Sequence, residues 1–270
     1  MIKRDYHIHT NLCDGKDSPE EIVLSAIEKG FSTIGFSGHS PLYSEYWCMT
    51  KENLAIYKKE ITRLKEKYKD KIEILLGLEQ DYYSEPLCKS DYDYVIGSVH
   101  GIKVSDGFVF MDDTVASLKQ GIEKHFGGDS LLLAEEYYSL VADVKNKTDA
   151  DIIGHFDLLL KFQEDEQLFD TGHPRYIKAA KRAIDKLAKE NVLFEVNTGA
   201  ISRGYRTTPY PEAQMLRYIN EKGCDVILTS DCHNRNNLGF AFESTVNLIK
   251  ECGFKRIAYL TNGKTEYISI

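Results

Sequence analysis

The sequence predicts a parallel α/β barrel, and three observations carry the prediction. Short apolar runs alternate with amphipathic helical stretches along the chain, the pattern of strands joined by right-handed helical crossovers. The length of 270 residues matches the roughly 250 that such a barrel uses. Metal-ligand side chains recur at the ends of successive predicted strands, and a barrel brings those ends to one face. An open doubly wound sheet, the competing architecture, would spread them along a row.

The first strand is Lys3–His9, where Asp5-Tyr6-His7-Ile8-His9-Thr10 places His7 and His9 on one side and Ile8 on the other. Ser18-Pro19-Glu20-Glu21 supplies an N-cap, a first-turn proline and first-turn acids, so a helix runs from there to Lys29, and Gly30 ends it. Ser32–Ser37 is the second strand, followed by an aromatic loop from Tyr43 to Trp47. A long helix spans Lys51–Lys69 and a third strand Ile72–Leu78. Tyr92–Val99 is the fourth strand. Ile102-Lys103-Val104 and Phe108-Val109-Phe110 flank Ser105-Asp106-Gly107, a hairpin signal. Helices near Thr114–His125 and Leu131–Lys145 complete an excursion too long for a plain connection. The expectation is one domain, residues 1–270, with an insertion at about 102–150. Strands resume at Asp151–His155, Val192–Val196 and Asp225–Thr229, with helices Pro174–Glu190, Pro211–Lys222 and Leu238–Cys252. Arg256–Leu260 and Tyr267–Ile270 form a last strand pair or a final barrel strand.

Composition narrows the function classes. The formal charge of −8 argues against a nucleic-acid surface, so attraction of an anion must be local. No apolar run approaches the ~20 residues of a membrane span, and the charged start Met1-Ile2-Lys3-Arg4-Asp5 is unlike a signal peptide. A cytoplasmic protein is the expectation. Six cysteines without a C-x-x-C pair read as free thiols in a reducing compartment. Cys13 and Cys232 lie beside candidate ligands, but nothing supports a catalytic thiol.

The strand ends carry the chemistry. The first delivers His7 and His9, with Asp14 shortly after; the next three deliver His39, Glu79 and His100. The fifth delivers His155, and the seventh Asp231 and His233. Only the sixth departs, ending Phe194-Glu195-Val196-Asn197. Six of eight histidines occupy such positions; His125 on a helix and His173 before one read as surface or capping residues. Six imidazoles and three carboxylates exceed what one tetrahedral ion or one open pair needs, so three divalent ions fit better. Zinc, iron and manganese all suit imidazole with carboxylate. Three such ions against three carboxylates leave a positive surplus, which a dianionic phosphate monoester and hydroxide would meet.

The motifs Asp5-Tyr6-His7-Ile8-His9-Thr10 with Cys13-Asp14-Gly15, Gly38-His39, Gly77-Leu78-Glu79, Gly97-Ser98-Val99-His100, Gly154-His155-Phe156-Asp157 and Ser230-Asp231-Cys232-His233 resemble the polymerase and histidinol phosphatase (PHP) family in order and spacing. The length, the insertion and Asn197-Thr198-Gly199 with Arg203-Gly204 look like its histidinol-phosphate phosphatase branch. The resemblance implies a distorted (β/α)7 TIM-like barrel with a trinuclear site. It further implies ligand roles for His7, His9, Asp14, His39, Glu79, His100, His155, Asp231 and His233, and L-histidinol phosphate as substrate. Some relatives carry histidine where this chain has Asp14.

The expected reaction is attack on phosphorus by a metal-bridging hydroxide, with Glu79 as bridging carboxylate and Asp157 or a bound water as general acid. Arg203, and with less support Arg206, Lys161 and Asn197, are the expected phosphate or substrate contacts. The loop Ser40–Trp47 and Tyr82-Tyr83 are placed to close over an imidazole ring. The rival readings are a PHP-type phosphoesterase acting on nucleotides or nucleic-acid ends, which requires a basic, aromatic-lined groove, and a metal-dependent regulatory module without catalysis.

Overall fold

Local sequence signals set the element boundaries in the computed structural model, which describes residues 2–42 and 45–270. The chain opens with β1 (Arg4–Asp5) and α1 (Pro19–Glu28), whose Ser18 and Glu21 form the capping box that the sequence announces. Then come β2 (Thr33–Phe36), α2 (Lys51–Tyr68), capped by Thr50, β3 (Glu73–Asp81) and β4 (Tyr94–Ser98). A hairpin of β5 (Gly101–Val104) and β6 (Gly107–Phe110) follows. Behind it lie α3 (Val115–Phe126), α4 (Ser130–Val141) and α5 (Val144–Thr148). The alternation resumes with β7 (Ile152–Ile153), α6 (Gln163–Glu166), α7 (Pro174–Leu187) and β8 (Leu193–Asn197). The chain ends with α8 (Gly199–Ser202), α9 (Ala213–Glu221), β9 (Val226–Thr229), α10 (Phe242–Glu251), β10 (Arg256–Thr261) and β11 (Lys264–Ser269).

The central sheet runs β1-β2-β3-β4-β7-β8-β9-β10-β11. Each neighbouring pair from β1 to β10 is parallel, and β11 returns antiparallel to β10. The two ends of the β1–β9 run also meet. Ile8 bridges Cys232 in parallel, with His9 N donating to the Cys232 carbonyl at 2.9 Å and Cys232 N to the His7 carbonyl at 2.8 Å.

Alternation along the strands separates two faces. Ile34, Phe36, Ile74, Leu76 and Leu78 pack against α1 and α2. Phe194, Val196, Val226 and Leu228 join the larger core with α4, α7, α9 and α10. The opposite face is apolar at the strand starts, where Tyr6, Leu75, Tyr94, Ile96, Ile152, Leu193 and Ile227 form a cluster of their own. Further along the same rows the residues turn polar. Leu75 and Gly77 are followed by Glu79 and Asp81, Tyr94 and Ile96 by Ser98 and His100, Leu193 by Glu195 and Asn197, and Ile227 by Thr229 and Asp231. The site therefore sits on a hydrophobic plug.

Several boundaries depart from the sequence expectation. The first strand is two residues long rather than Lys3–His9, because the ladder with β2 is interrupted after Asp5. Beyond it only isolated bonds remain, Ser37 N donating to the Ile8 carbonyl at 3.0 Å on one side and Cys232 N to that of His7 on the other. The third strand extends through Asp81, so Glu79 lies inside it rather than beyond its end. The expected helix Leu131–Lys145 splits at Asp143, whose carboxylate accepts from Lys186, Asn146 and Tyr82 instead of leaving the helix undisturbed. The final pair is a hairpin, one of the two forms expected. Tyr43 and Ser44 of the aromatic loop lie outside the described residues. Among those residues no helix is long and apolar enough to cross a membrane.

Tyr94 is the centre of the plug. Its hydroxyl donates to the carbonyls of Tyr6 at 2.5 Å and Phe36 at 3.2 Å, and its ring occupies the space beside Gly35 and Gly77. A Cβ added at Gly77 would lie 2.2 Å from Tyr94 Cζ. Gly77→Ala is therefore expected to lower unfolding free energy by about 1–3 kcal/mol through overpacking, read as a fall in the denaturant midpoint; an unchanged midpoint would show that the ring can yield.

Candidate metal centre

Glu79 is the hub. The alternation of β3 points it to the polar end of the inner face, and its carboxylate is buried there without exposed surface. Oε2 lies 2.8 Å from His39 Nδ1, 3.2 Å from His7 Nε2 and 3.5 Å from His9 Nε2. Oε1 lies 2.9 Å from His155 Nε2 and 3.4 Å from His100 Nε2, and it accepts from Ser98 Oγ at 2.7 Å. A second carboxylate, Asp231, follows β9 in a left-handed conformation (φ 47°). Its Oδ1 is 3.3 Å from His9 Nε2 and 3.4 Å from His233 Nδ1. Asp14, after the first strand segment, stands 3.0 Å from His233 Nε2, 3.3 Å from His9 Nδ1 and 3.7 Å from His39 Nε2.

All nine residues singled out as ligands by the sequence are thus brought to one cluster. Three groups within it have donor atoms mutually close enough to share an ion: His9, Asp14, His39 and His233; His7, His9 and Glu79; and His39, Glu79 and His100. The donor set fits a divalent cation on a further ground. Among the described residues, His7 Nε2, His9 Nε2 and Glu79 Oε2 are buried, converge, and have no hydrogen bond of good geometry despite their close neighbours, a costly state for polar atoms unless a cation engages them. The electrostatics agree. Burial alone would raise the Glu79 carboxyl, yet His39, His7 and His100 hold it well below the usual range. Burial likewise opposes the His7 imidazolium, yet Glu195, Glu79 and Asp231 push it up to about 10. The carboxylates demand positive charge in their midst.

Two carboxylates behind the cluster were not singled out by the sequence. Glu195 accepts from His7 Nδ1 at 2.5 Å, from Thr229 Oγ1 at 2.7 Å, and from the His155 amide at 2.6 Å. Asp81 meets His100 Nδ1 at 3.1 Å. A proton on Nδ1 given to these acids leaves Nε2 of His7 and His100 with its lone pair turned to the cluster. The signal was there: Asp81 is two residues beyond Glu79, and Glu195 sits on the inner row of the one strand that lacks a histidine.

A cavity of about 400 Å³ opens onto the cluster, lined by His39, Glu79, His100, His155, Asp231 and His233 on its floor and by Arg203 and Lys161 among its walls. Arg203 is anchored by Asp231, its Nη2 donating to Oδ2 at 3.0 Å and its Nη1 to the carbonyl at 3.2 Å. Lys161 Nζ donates to the Asp112 carbonyl at 2.6 Å and lies 4.6 Å above the Tyr205 ring. Other expected contacts do not reach this cavity. Arg206 is buried behind it, its guanidinium bound to the carbonyls of Leu160 and Thr208. Asn197 is buried too, its amide spanning Glu195 and the Gly199 N–H. Asp157 has no exposed surface and accepts from the Glu212 amide at 2.8 Å, facing the core rather than sharing the His155 face. Burial pushes its carboxyl up to about 7. These three tie down the loops that carry Arg203 and Lys161. Tyr82 and Tyr83 pack toward Asp143 and Phe108, away from the cavity, whereas Trp47 lies 5.0 Å from the His100 ring and does line it.

The remaining histidines behave as ordinary residues, whereas the Cys13 thiol lies 3.7 Å from His9 Nδ1, which lowers its pKa against the effect of burial. His125 pairs with Asp106 at 3.1 Å, and His173 caps α7. All six cysteines are free, and burial pushes the Cys232 thiol up to about 12.

Comparison with known proteins gives three findings. The model of the family described as "PHP domain" matches residues 5–199. A Deinococcus radiodurans protein named "Probable histidinol-phosphatase" is 30% identical, covering 94% of this chain and 95% of its own, and a Bacillus subtilis histidinol-phosphatase is 28% identical over 90% and 98%. Among solved structures, the histidinol phosphate phosphatase of Lactococcus lactis, determined with zinc, L-histidinol and phosphate, superposes with a TM-score of 0.71 at 24% identity, covering 98% of this chain and 99% of that one. At that identity the likeness concerns the fold.

Because Asp81 acts on His100 from behind, Asp81→Asn is expected to weaken zinc retention by roughly 10–100-fold, measured by competition with a chromogenic chelator. Retention equal to that of the parent protein would remove Asp81 from this role.

Proposed function

This chain belongs to the PHP domain family, and from that premise we propose that it is a metal-dependent histidinol-phosphatase that hydrolyses L-histidinol phosphate at the Glu79 cluster. The observation that carries the reading is the meeting of orphaned imidazole and carboxylate donors with two anchored cations in one cavity. The names of the two histidinol-phosphatases and the ligands of the Lactococcus lactis protein support the choice of ester. We read the bridge at Ile8–Cys232 as closing β1, β2, β3, β4, β7, β8 and β9 into a distorted seven-stranded barrel, with residues 102–150 inserted into a single domain.

His7, His9, Asp14, His39, Glu79, His100, His155, Asp231 and His233 would hold the ions, three in our reading, drawn from zinc, iron or manganese. Bound there, they would supply Lewis acidity and activate water for attack on phosphorus. The side chains do the rest. Arg203, held in plane by Asp231, presents the outer edge of its guanidinium to phosphoryl oxygens. Lys161 adds a point charge from a second loop, and burial lowers its pKa, so a nearby dianion stabilises its charged form. Glu195 and Asp81 fix His7 and His100 from behind the cluster. The nucleic-acid reading asks for a basic groove, but Glu45, Asp112 and Asp113 also line this cavity.

L-histidinol phosphate, p-nitrophenyl phosphate and single-stranded DNA assayed side by side test the proposal. Phosphate release is expected from the first in preference, to vanish after exhaustive chelation and to return with zinc or manganese. Undiminished turnover after chelation, or preference for DNA, overturns it. Arg203→Ala should lower kcat/KM by ~10-fold or more; unchanged kinetics would take Arg203 out of the site.

A further inference from the structure

The cavity has a side that phosphate chemistry leaves unexplained. Trp47 and Phe110 stand edge to face at 6.1 Å and form an aromatic wall. Two residues past Phe110, Asp112 lines the same cavity, while Met111 between them is turned into the core and its amide is tied to the His100 carbonyl at 2.8 Å. The hairpin exit is thus fixed to a segment that carries a cluster histidine. The Asp112 backbone is fixed as well, since its carbonyl receives the Lys161 ammonium. Its carboxylate lies in the field of Lys161, Arg203 and His100, yet among the described residues it takes part in no ion pair within 4.0 Å and no side-chain hydrogen bond. A half-buried carboxylate beside an aromatic wall is an unfavourable neighbour for a phosphate dianion. It is a favourable one for a cationic group carried on a planar ring system.

Building on the phosphatase reading above, we propose that Asp112 is the specificity-determining residue of this site, its carboxylate accepting the protonated amine of the leaving alcohol while Trp47 and Phe110 flank that alcohol's ring. The site then reads the two ends of its ester by opposite charge. Arg203 and Lys161 face the phosphoryl oxygens, and Asp112 faces the ammonium. A bipolar substrate has one productive orientation in such a field, whereas an ester without an amine leaves Asp112 unpaired on binding.

The test compares L-histidinol phosphate with the same ester lacking its α-amine, in the metal-loaded full chain and in Asp112→Asn. The parent protein is expected to favour the amine-bearing ester by ~10-fold or more in kcat/KM, mainly through KM, and Asp112→Asn to collapse that ratio toward one. Asp112→Glu should keep part of it. If the parent cleaves both esters equally, or Asp112→Asn retains the full preference, the assignment of Asp112 is wrong while the phosphatase reading stands. If the parent cleaves p-nitrophenyl phosphate but neither imidazole ester, the substrate reading falls. The same ratio measured with phosphoethanolamine against ethyl phosphate then decides Asp112 by itself.

Discussion

Negative charge held out of water is the constraint from which the rest of the molecule follows. Glu79, Asp231, Asp81 and Glu195 lie buried within one small region, and an isolated carboxylate there would protonate rather than remain charged. Against burial, the surrounding imidazoles and Arg203 hold Glu79, Asp231 and Glu195 below the usual carboxylate range, and His7 and His100 are oriented because Glu195 and Asp81 hold their far nitrogens. Neither shell is stable without the other. The arrangement sets inner nitrogens and oxygens face to face around positive charge, a place that a divalent ion would take over from the protons.

The fold meets that constraint by grading each inward row of side chains from apolar to polar. The Tyr94 plug fills the lower part, so water cannot reach the carboxylates from beneath, and the polar ends meet only at the rim. Closing contacts between the first segment and the one after β9 complete the set, since His7 and His9 come from one and Asp231 and His233 from the other. Arg206, Asn197 and Asp157 serve the same end indirectly. They sit behind the loops and hold Arg203 and Lys161 at the cavity wall.

Most of this was legible in the sequence because ligands at strand ends are a local, periodic signal. The nine cluster residues, the parallel alternation and the hairpin near Ser105-Asp106-Gly107 all follow from spacing and turn chemistry. What escaped depends on distance in three dimensions. Asp157 shares a short segment with His155, but the chain bends and turns from His155 on, so the strand alternation that would align the two is lost and Asp157 meets the Glu212 amide instead. Arg206 and Arg203 occupy one loop, yet one finds carbonyl acceptors in the core and the other finds Asp231. Glu195 and Asp81 read as ordinary strand acids until the imidazole nitrogens they face are known.

The pairing of Ile8 with Cys232 has a consequence for how the protein is put together. Donors from both ends of the β1–β9 run must stand side by side before any ion can be gripped fully, so cation capture would be coupled to completion of the tertiary structure. An ion held by His7, His9 and Asp231 would act as a clasp between the two ends of that run. Loss of the ion would loosen the molecule first at that seam, far in sequence from most of the groups that released it.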